Sequence, residues 1–309
     1  MVPYVHRRFY RVLAAITALF APTAATVVAH AEPTASFALI SRYIDTPVAR
    51  FHYSTTGEGA PVVLLPGGTV SLHTYRDMIP ALAEHHTVYA VDLPGNGYTT
   101  VNDPNFSYDL AAMTDALRQF MAAVGLEDGA SVVAHSLNGS VAVHLAATHP
   151  EQVNRLALLA PLALDTRLNT NLTAMRIPVV GEAVTTLMTK QMFASGLRSG
   201  YTHPERLTDE LVEVYWAALC RPENRKAMWK QVRNLELSLV QNDLSAIRAE
   251  TLLVWGTEDN VVSTAQAATV HDLVSHSTLR TFPGAGHFAY EDDPAAVDTE
   301  LSTFLTGSR

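Results

Sequence analysis

Ser131-Val132-Val133-Ala134-His135-Ser136-Leu137-Asn138-Gly139-Ser140 is the stretch from which the rest of the chain can be read. Its first half is a β-branched run and its second half a small-residue helix start, with Ser136 at the switch. A sharp strand-to-helix turn there pushes the Ser136 hydroxyl out of the backbone and holds it at the helix N-terminus. Strand and helix then approach closely, which calls for small residues on either side. Ala134 and Gly139 meet that need. Asn138 meets it less well: it stands where the commonest form of the turn, G-x-S-x-G, has its second glycine, and it adds bulk beside the serine. Alone, the stretch also has a plainer reading, a serine capping an ordinary helix. Partners elsewhere in the chain have to decide.

Upstream, residues 37–53 read as two strands, and Pro61-Val62-Val63-Leu64-Leu65 is a continuous apolar run, as expected of a strand buried on both faces of a sheet. It ends in Pro66-Gly67-Gly68-Thr69. A helix is expected over 75–84, a second buried strand over 87–91 ending at Asp92-Leu93-Pro94-Gly95-Asn96-Gly97, and a helix over 108–124. The helix after Ser136 runs to His149, and 153–159 is the next strand. This alternation predicts an α/β fold with a mostly parallel, doubly wound sheet. In such sheets ligands bind beyond the carboxyl ends of the strands, where Pro66–Gly68, Asp92 and Ser136 all fall. From 161 to 246 no strand run appears, and helical spacing covers 177–197, 210–219 and 222–240. That is too long for a loop and predicts a helical cap over the strand ends. Its Met175, Met188, Met192, Met228, Trp216 and Trp229 either line a pocket or pack the cap's own core, the commoner fate of any single one. Strands return at 251–255 and 278–282, with helices over 263–273 and 294–305. The expected organisation is a core of 37–160 and 247–309 with a cap of 161–246.

A serine hydroxyl needs a base to take its proton, and the base needs a carboxylate to fix its tautomer. Asp259 ends one late strand and His287, flanked by glycine, ends the next, so both land on the edge that carries Ser136. The chain holds 13 histidines. His135 lies on the strand side of the turn and is expected to point away from Ser136; His73 and His203 are minor candidates for the pocket. Asp165, after the strand preceding the cap, is the rival acid. For a developing oxyanion, the Leu137 N–H opens a helix beside Ser136, and the Gly68 N–H is the second expected donor. No third glycine or lysine follows Gly67-Gly68 at the spacing of a phosphate loop.

The 309 residues, 48% hydrophobic, suffice for one large domain with an insertion. Arg7, Arg8 and Arg11 precede an apolar run over 12–21, and Ala29-His30-Ala31 fits a cleavage site, so residues 1–31 read as an export signal, with an uncleaved membrane anchor as the alternative. The formal charge of −9 becomes −12 without those three arginines, which argues against a nucleic-acid partner. Cys220 is the single cysteine, so no intrachain disulfide or cysteine-based metal cluster is expected.

Leu64-Leu65-Pro66-Gly67-Gly68, Asp92-Leu93-Pro94-Gly95-Asn96-Gly97, Ala134–Gly139, Leu253-Val254-Trp255-Gly256-Thr257-Glu258-Asp259 and Pro283-Gly284-Ala285-Gly286-His287-Phe288 together make the chain, over 37–305, resemble the α/β-hydrolase superfamily. The branch it resembles has a helical cap after the sixth strand. The chain order Ser, Asp, His matches that resemblance. Pro66 stands where the family usually has histidine, Ala134 replaces the first glycine of the turn and Asn138 the second. The resemblance implies an exported serine hydrolase needing no metal or organic cofactor. Ser136 is the expected nucleophile, His287 the base and Asp259 its orienter, with Gly68 and Leu137 as oxyanion donors. The expected substrate is a small to medium apolar ester or lactone. Alternatives on the same residues are hydrolysis of a C–C bond, for which Arg176, Arg198, Arg221 and Arg233 are the cations available to hold a substrate carboxylate, or cofactor-free haloperoxidase-like chemistry. A non-catalytic binding protein of the same fold is the further alternative.

Overall fold

Residues 60–65, 130–135, 153–159 and 250–256 are apolar almost throughout because they form the middle of one sheet. The computed structural model describes residues 39–166 and 170–307; the expected export signal lies outside them. The strands are β1 (Arg42–Asp45), β2 (Ala49–Thr56), β3 (Ala60–Leu65), β4 (His86–Val91), β5 (Thr100–Val101), β6 (Ala130–His135), β7 (Val153–Leu159), β8 (Glu250–Gly256) and β9 (Ser277–Phe282). Their order is β1-β2-β4-β3-β6-β7-β8-β9, with β5 on β2. The pairs β3–β4, β3–β6, β6–β7, β7–β8 and β8–β9 are parallel. β1, β2 and β5 form an antiparallel flank.

Alternation of side chains across the strands divides the core into two layers. Val63, Leu65, Val132 and Ala134 pack on one face with Leu110, Met113, Leu117 and Phe120 of the helix Leu110–Ala123. Val62, Leu64 and Val133 pack on the other with Tyr75, Ile79 and Leu82, and with Val297 and Leu301 of the C-terminal helix Pro294–Thr306. Each fully buried leucine contributes roughly 1.5–3 kcal/mol.

Between β7 and β8 the described elements are helical: Thr170–Arg176, Val180–Thr186, Lys190–Arg198, Asp209–Leu219, Pro222–Asn234 and Leu237–Asp243, with short 3-10 turns. The spacing over 177–197 is broken because Thr189 starts a new helix, its hydroxyl accepting the Met192 N–H. The run over 222–240 is broken at Leu235-Glu236, which leave helical geometry. In chain order the segment follows the seventh strand rather than the sixth, because the two-residue β5 has too little pattern to be read. Met175 and Met228 are buried in the second core layer, so they pack the interior.

Candidate active site

β6 enters the turn extended, with His135 at φ −107°, and Ser136 then takes φ +52° before the helix Ser136–Thr148 begins. A non-glycine residue in this region costs about 1–3 kcal/mol and persists only where its surroundings hold it. Here the chain after β7 does so. The Leu162 N–H donates to the Ser136 carbonyl at 3.0 Å, and the Ser140 hydroxyl donates to the Leu162 carbonyl. Gly139 provides the space: a Cβ there would sit 2.8 Å from Pro161 Cβ.

The late strands deliver the other two groups. Asp259 follows β8 in a turn where its Oδ1 accepts the N–H groups of Val261 and Val262 at 2.8 and 2.9 Å. Its Oδ2 is thereby aimed at His287 Nδ1, 2.8 Å away. His287 Nε2 lies 2.9 Å from Ser136 Oγ. With a carboxylate on Nδ1, the proton sits on that nitrogen and Nε2 is left to accept from the serine. His287 is 5% exposed and Asp259 7%. The His287 N–H is anchored on the Gly200 carbonyl at 2.7 Å. Asp165 is not part of this group: it is exposed, its N–H on Gln241. β7 lies between β6 and β8 in the sheet, but it is Asp259, after β8, that meets His287 Nδ1.

The glycines after β3 pack against the serine turn. A Cβ on Gly67 would meet His135 Nδ1 at 2.7 Å, and one on Gly68 would meet Leu137 Cδ2 at 2.6 Å. Asn138 corrects the expectation of mere added bulk. Its Nδ2 donates to the Pro66 carbonyl at 2.6 Å and to Asn96 Oδ1 at 3.0 Å. Asn96 Nδ2 in turn donates to the carbonyls of Gly67 and Val70 at 2.7 and 2.8 Å. Neither asparagine's role is legible in sequence: Asn96, in a loop, signals a turn before it signals a partner, and Asn138, inside the helix Ser136–Thr148, reads only as added bulk.

His135 is closer to the site than expected. Its Nε2 donates to the His287 carbonyl at 3.0 Å, and the two rings lie 4.6 Å apart. Burial, then the neighbouring His287, holds His135 well below the usual imidazole range, so it is neutral. Behind it, buried Glu291 accepts from Thr74 at 2.6 Å, Tyr201 at 3.0 Å and Arg76 at 2.8 Å. Burial, followed by the Glu291 charge, pushes the Tyr201 and Tyr215 phenols well up, which keeps them neutral donors. His203 sits exposed on Glu205 at 3.1 Å. Another buried histidine, His52, is held by Asp92 at 2.6 Å and by Ser41 at 2.9 Å.

The four arginines between β7 and β8 named above have partners of their own. Arg176 donates to the Leu235 carbonyl, Arg198 pairs with Asp209, Arg221 pairs with Glu223 and donates to the Gly97 carbonyl, and Arg233 lies over the Trp229 ring.

Comparison with known proteins agrees with this geometry. Residues 60–294 match the family described as alpha/beta hydrolase fold. The chain is 27% identical over 277 residues to a 2-hydroxymuconate semialdehyde hydrolase of Pseudomonas sp. (strain CF600), covering 86% of this chain and 94% of that protein. It is 24% identical over 275 residues to a cis-3-alkyl-4-alkyloxetan-2-one decarboxylase of Shewanella oneidensis, covering 83% and 85%. The solved structure of Cfl2 from Burkholderia cenocepacia superposes with a TM-score of 0.77 at 25% identity, over 86% of this chain and 95% of that one. A serine on a strained strand–helix turn, a histidine and an aspartate after the late strands, and a family match spanning most of the sheet agree: this chain belongs to the alpha/beta hydrolase fold family.

Proposed function

We propose that this protein is a serine hydrolase acting on a neutral, largely apolar ester or lactone through an acyl-enzyme. The observation that carries the reading is the unbroken chain Ser136 Oγ–His287 Nε2 at 2.9 Å and His287 Nδ1–Asp259 Oδ2 at 2.8 Å. Ser136 Oγ attacks the carbonyl carbon and its proton passes to His287 Nε2. Asp259 stabilises the imidazolium. The N–H groups of Leu137 and Gly68 hold the oxyanion; each such donor is worth roughly 2.7–4 kcal/mol of barrier. As the tetrahedral intermediate collapses, the leaving oxygen takes the proton from Nε2. Water then repeats the sequence on the acyl-serine.

Support for a neutral substrate comes from the cations. A C–C bond hydrolase of this kind needs positive or polar groups for a substrate carboxylate. Arg176, Arg198, Arg221 and Arg233 are each engaged elsewhere. The second reading, C–C bond hydrolysis, draws on the resemblance to the 2-hydroxymuconate semialdehyde hydrolase. A panel of chromogenic esters of graded acyl length, run beside a ring-fission dienoate, separates the two; turnover of the dienoate alone sinks the ester reading. Labelling of Ser136 by a fluorophosphonate, lost in Ser136→Ala, tests the nucleophile. A wild type that never labels leaves only a binding role.

Export completes the proposal. Arg7, Arg8, Arg11, the apolar 12–21 run and Ala29-His30-Ala31 support it. N-terminal sequencing of the mature protein is expected to begin at Glu32; a start at Met1 in the membrane fraction favours the anchor instead.

A further inference from the structure

The geometry points to Asn138 and Asn96 as a paired clamp that aims the oxyanion donor of this enzyme. The inference rests on Ser136 acting as an acyl-transfer nucleophile, and it assigns both asparagines as positioning residues that work through the loop Pro66–Val70.

A Cβ on Gly67 would lie 2.7 Å from the buried His135 ring, and one on Gly68 would press at 2.6 Å on Leu137 Cδ2, a side-chain end that can shift, so packing demands glycine at 67 and favours it at 68. The same crowding creates a problem. Glycine has the widest backbone freedom of any residue, so two in succession leave the loop without steric restraint of its own. The asparagines provide it from outside. Asn138 is 1% exposed and Asn96 2%. Their amide nitrogens hold the carbonyls of Pro66, Gly67 and Val70, and the Asn138 nitrogen also holds the Asn96 oxygen. Asn96 is itself tied down by its N–H on the Leu93 carbonyl at 2.8 Å.

Peptide planarity turns this restraint into aim. The Gly67 carbonyl and the Gly68 N–H belong to one rigid plane and point in opposite directions. Holding the Gly67 oxygen at 2.7 Å therefore fixes the direction of the Gly68 N–H. Holding the Pro66 oxygen at 2.6 Å fixes the preceding plane, with the Gly67 N–H, in the same way. A glycine at 138, as in the commonest form of the turn, has no side-chain donor for either task. In this chain the departure at Asn138 thus supplies a donor to the main-chain oxygen of residue 66.

The experiment uses the full-length protein with Asn138→Gly, Asn138→Asp and Asn96→Ser. Hydrogen exchange of the Gly67–Val70 amides reads the loop without any turnover. Steady-state kinetics on an ester, and affinity for a trifluoromethyl ketone that forms a tetrahedral adduct, read its aim. The expected result for Asn138→Gly is faster exchange in this loop and a roughly 10–100-fold loss of kcat, with KM within about threefold and a parallel loss of ketone affinity. Asn138→Asp keeps the shape but sets an acceptor against the Pro66 carbonyl, so it should be worse than glycine. Asn138→Gly and Asn96→Ser should combine less than additively, since they hold one loop. Unchanged exchange, or faster exchange with kcat and ketone affinity intact, overturns the proposal; so does an aspartate variant as active as wild type. A wild type that resists fluorophosphonate fails a different arm, overturning the acyl-transfer reading and the catalytic purpose of the clamp with it.

Discussion

Ser136 concentrates the conflict between stability and chemistry in one residue. At φ +52° it carries strain that a glycine would not. Within a helix alanine is normally preferred to glycine by about 1 kcal/mol. At position 136 that order should reverse: Ser136→Gly is expected to unfold at higher denaturant than Ser136→Ala by about 1 kcal/mol. Both variants should lose at least ~10³-fold in turnover. Equal stability of the two would show that the turn carries no strain. Asp259→Asn tests the orientation of His287. It removes the charge that fixes Nδ1–H, and kcat should fall by about 10³–10⁴ with the fold intact.

Helices and loops carry two further charges whose placement matters. Asp298 lies in the helix Pro294–Thr306, with one carboxyl oxygen buried and unpartnered. Burial, reinforced by the Asp77 charge, pushes this carboxyl up to about 7. Below the ordinary aspartate range both folded and unfolded chains hold the proton. Between about 4 and 7 only the folded chain holds it, so stability falls as pH rises through that window and is flat above it. Asp298→Asn should match wild type near pH 4 and exceed it at pH 8 by on the order of 2 kcal/mol, read by urea unfolding at both pH values. Asp292 ties the loop of His287 to the segment after Lys190–Arg198. It accepts from the N–H groups of Gly286 at 2.8 Å, Thr202 at 3.2 Å and His203 at 3.0 Å. Asp292→Ala leaves these donors without an acceptor and should cost about 2–4 kcal/mol, with a fall in kcat as the Gly286 N–H beside His287 loses its acceptor.

The whole molecule shares one interior between sheet and helical segment. Phe193, Leu197, Tyr201 and Tyr215 pack in the same layer as Val62, Leu64, Val88 and Leu252. Replacing residues 161–246 by a short linker should therefore yield an aggregating chain rather than an open enzyme, checked by solubility and by loss of a cooperative melt. The alternation of strand and helix, the turn at Ser136 and the late positions of Asp259 and His287 were all readable in the chain. Each is a local pattern: a buried run, a switch of period, a glycine-bearing turn at a strand end. Partners were not readable in the same way. Asp259 and Asp165 both follow a strand, and only the folded contacts show which one meets His287. Asn138 meets Pro66 across 72 positions and Asn96 across 42, so nothing in its own neighbourhood announces the contact. The four arginines between β7 and β8 read as available cations until their carbonyl, carboxylate and aromatic neighbours are in place. Local sequence encodes backbone conformation and burial, which neighbouring residues suffice to set. Hydrogen-bond partners and the direction of a buried amide depend on where distant strands and loops are brought together, and that was settled only in three dimensions.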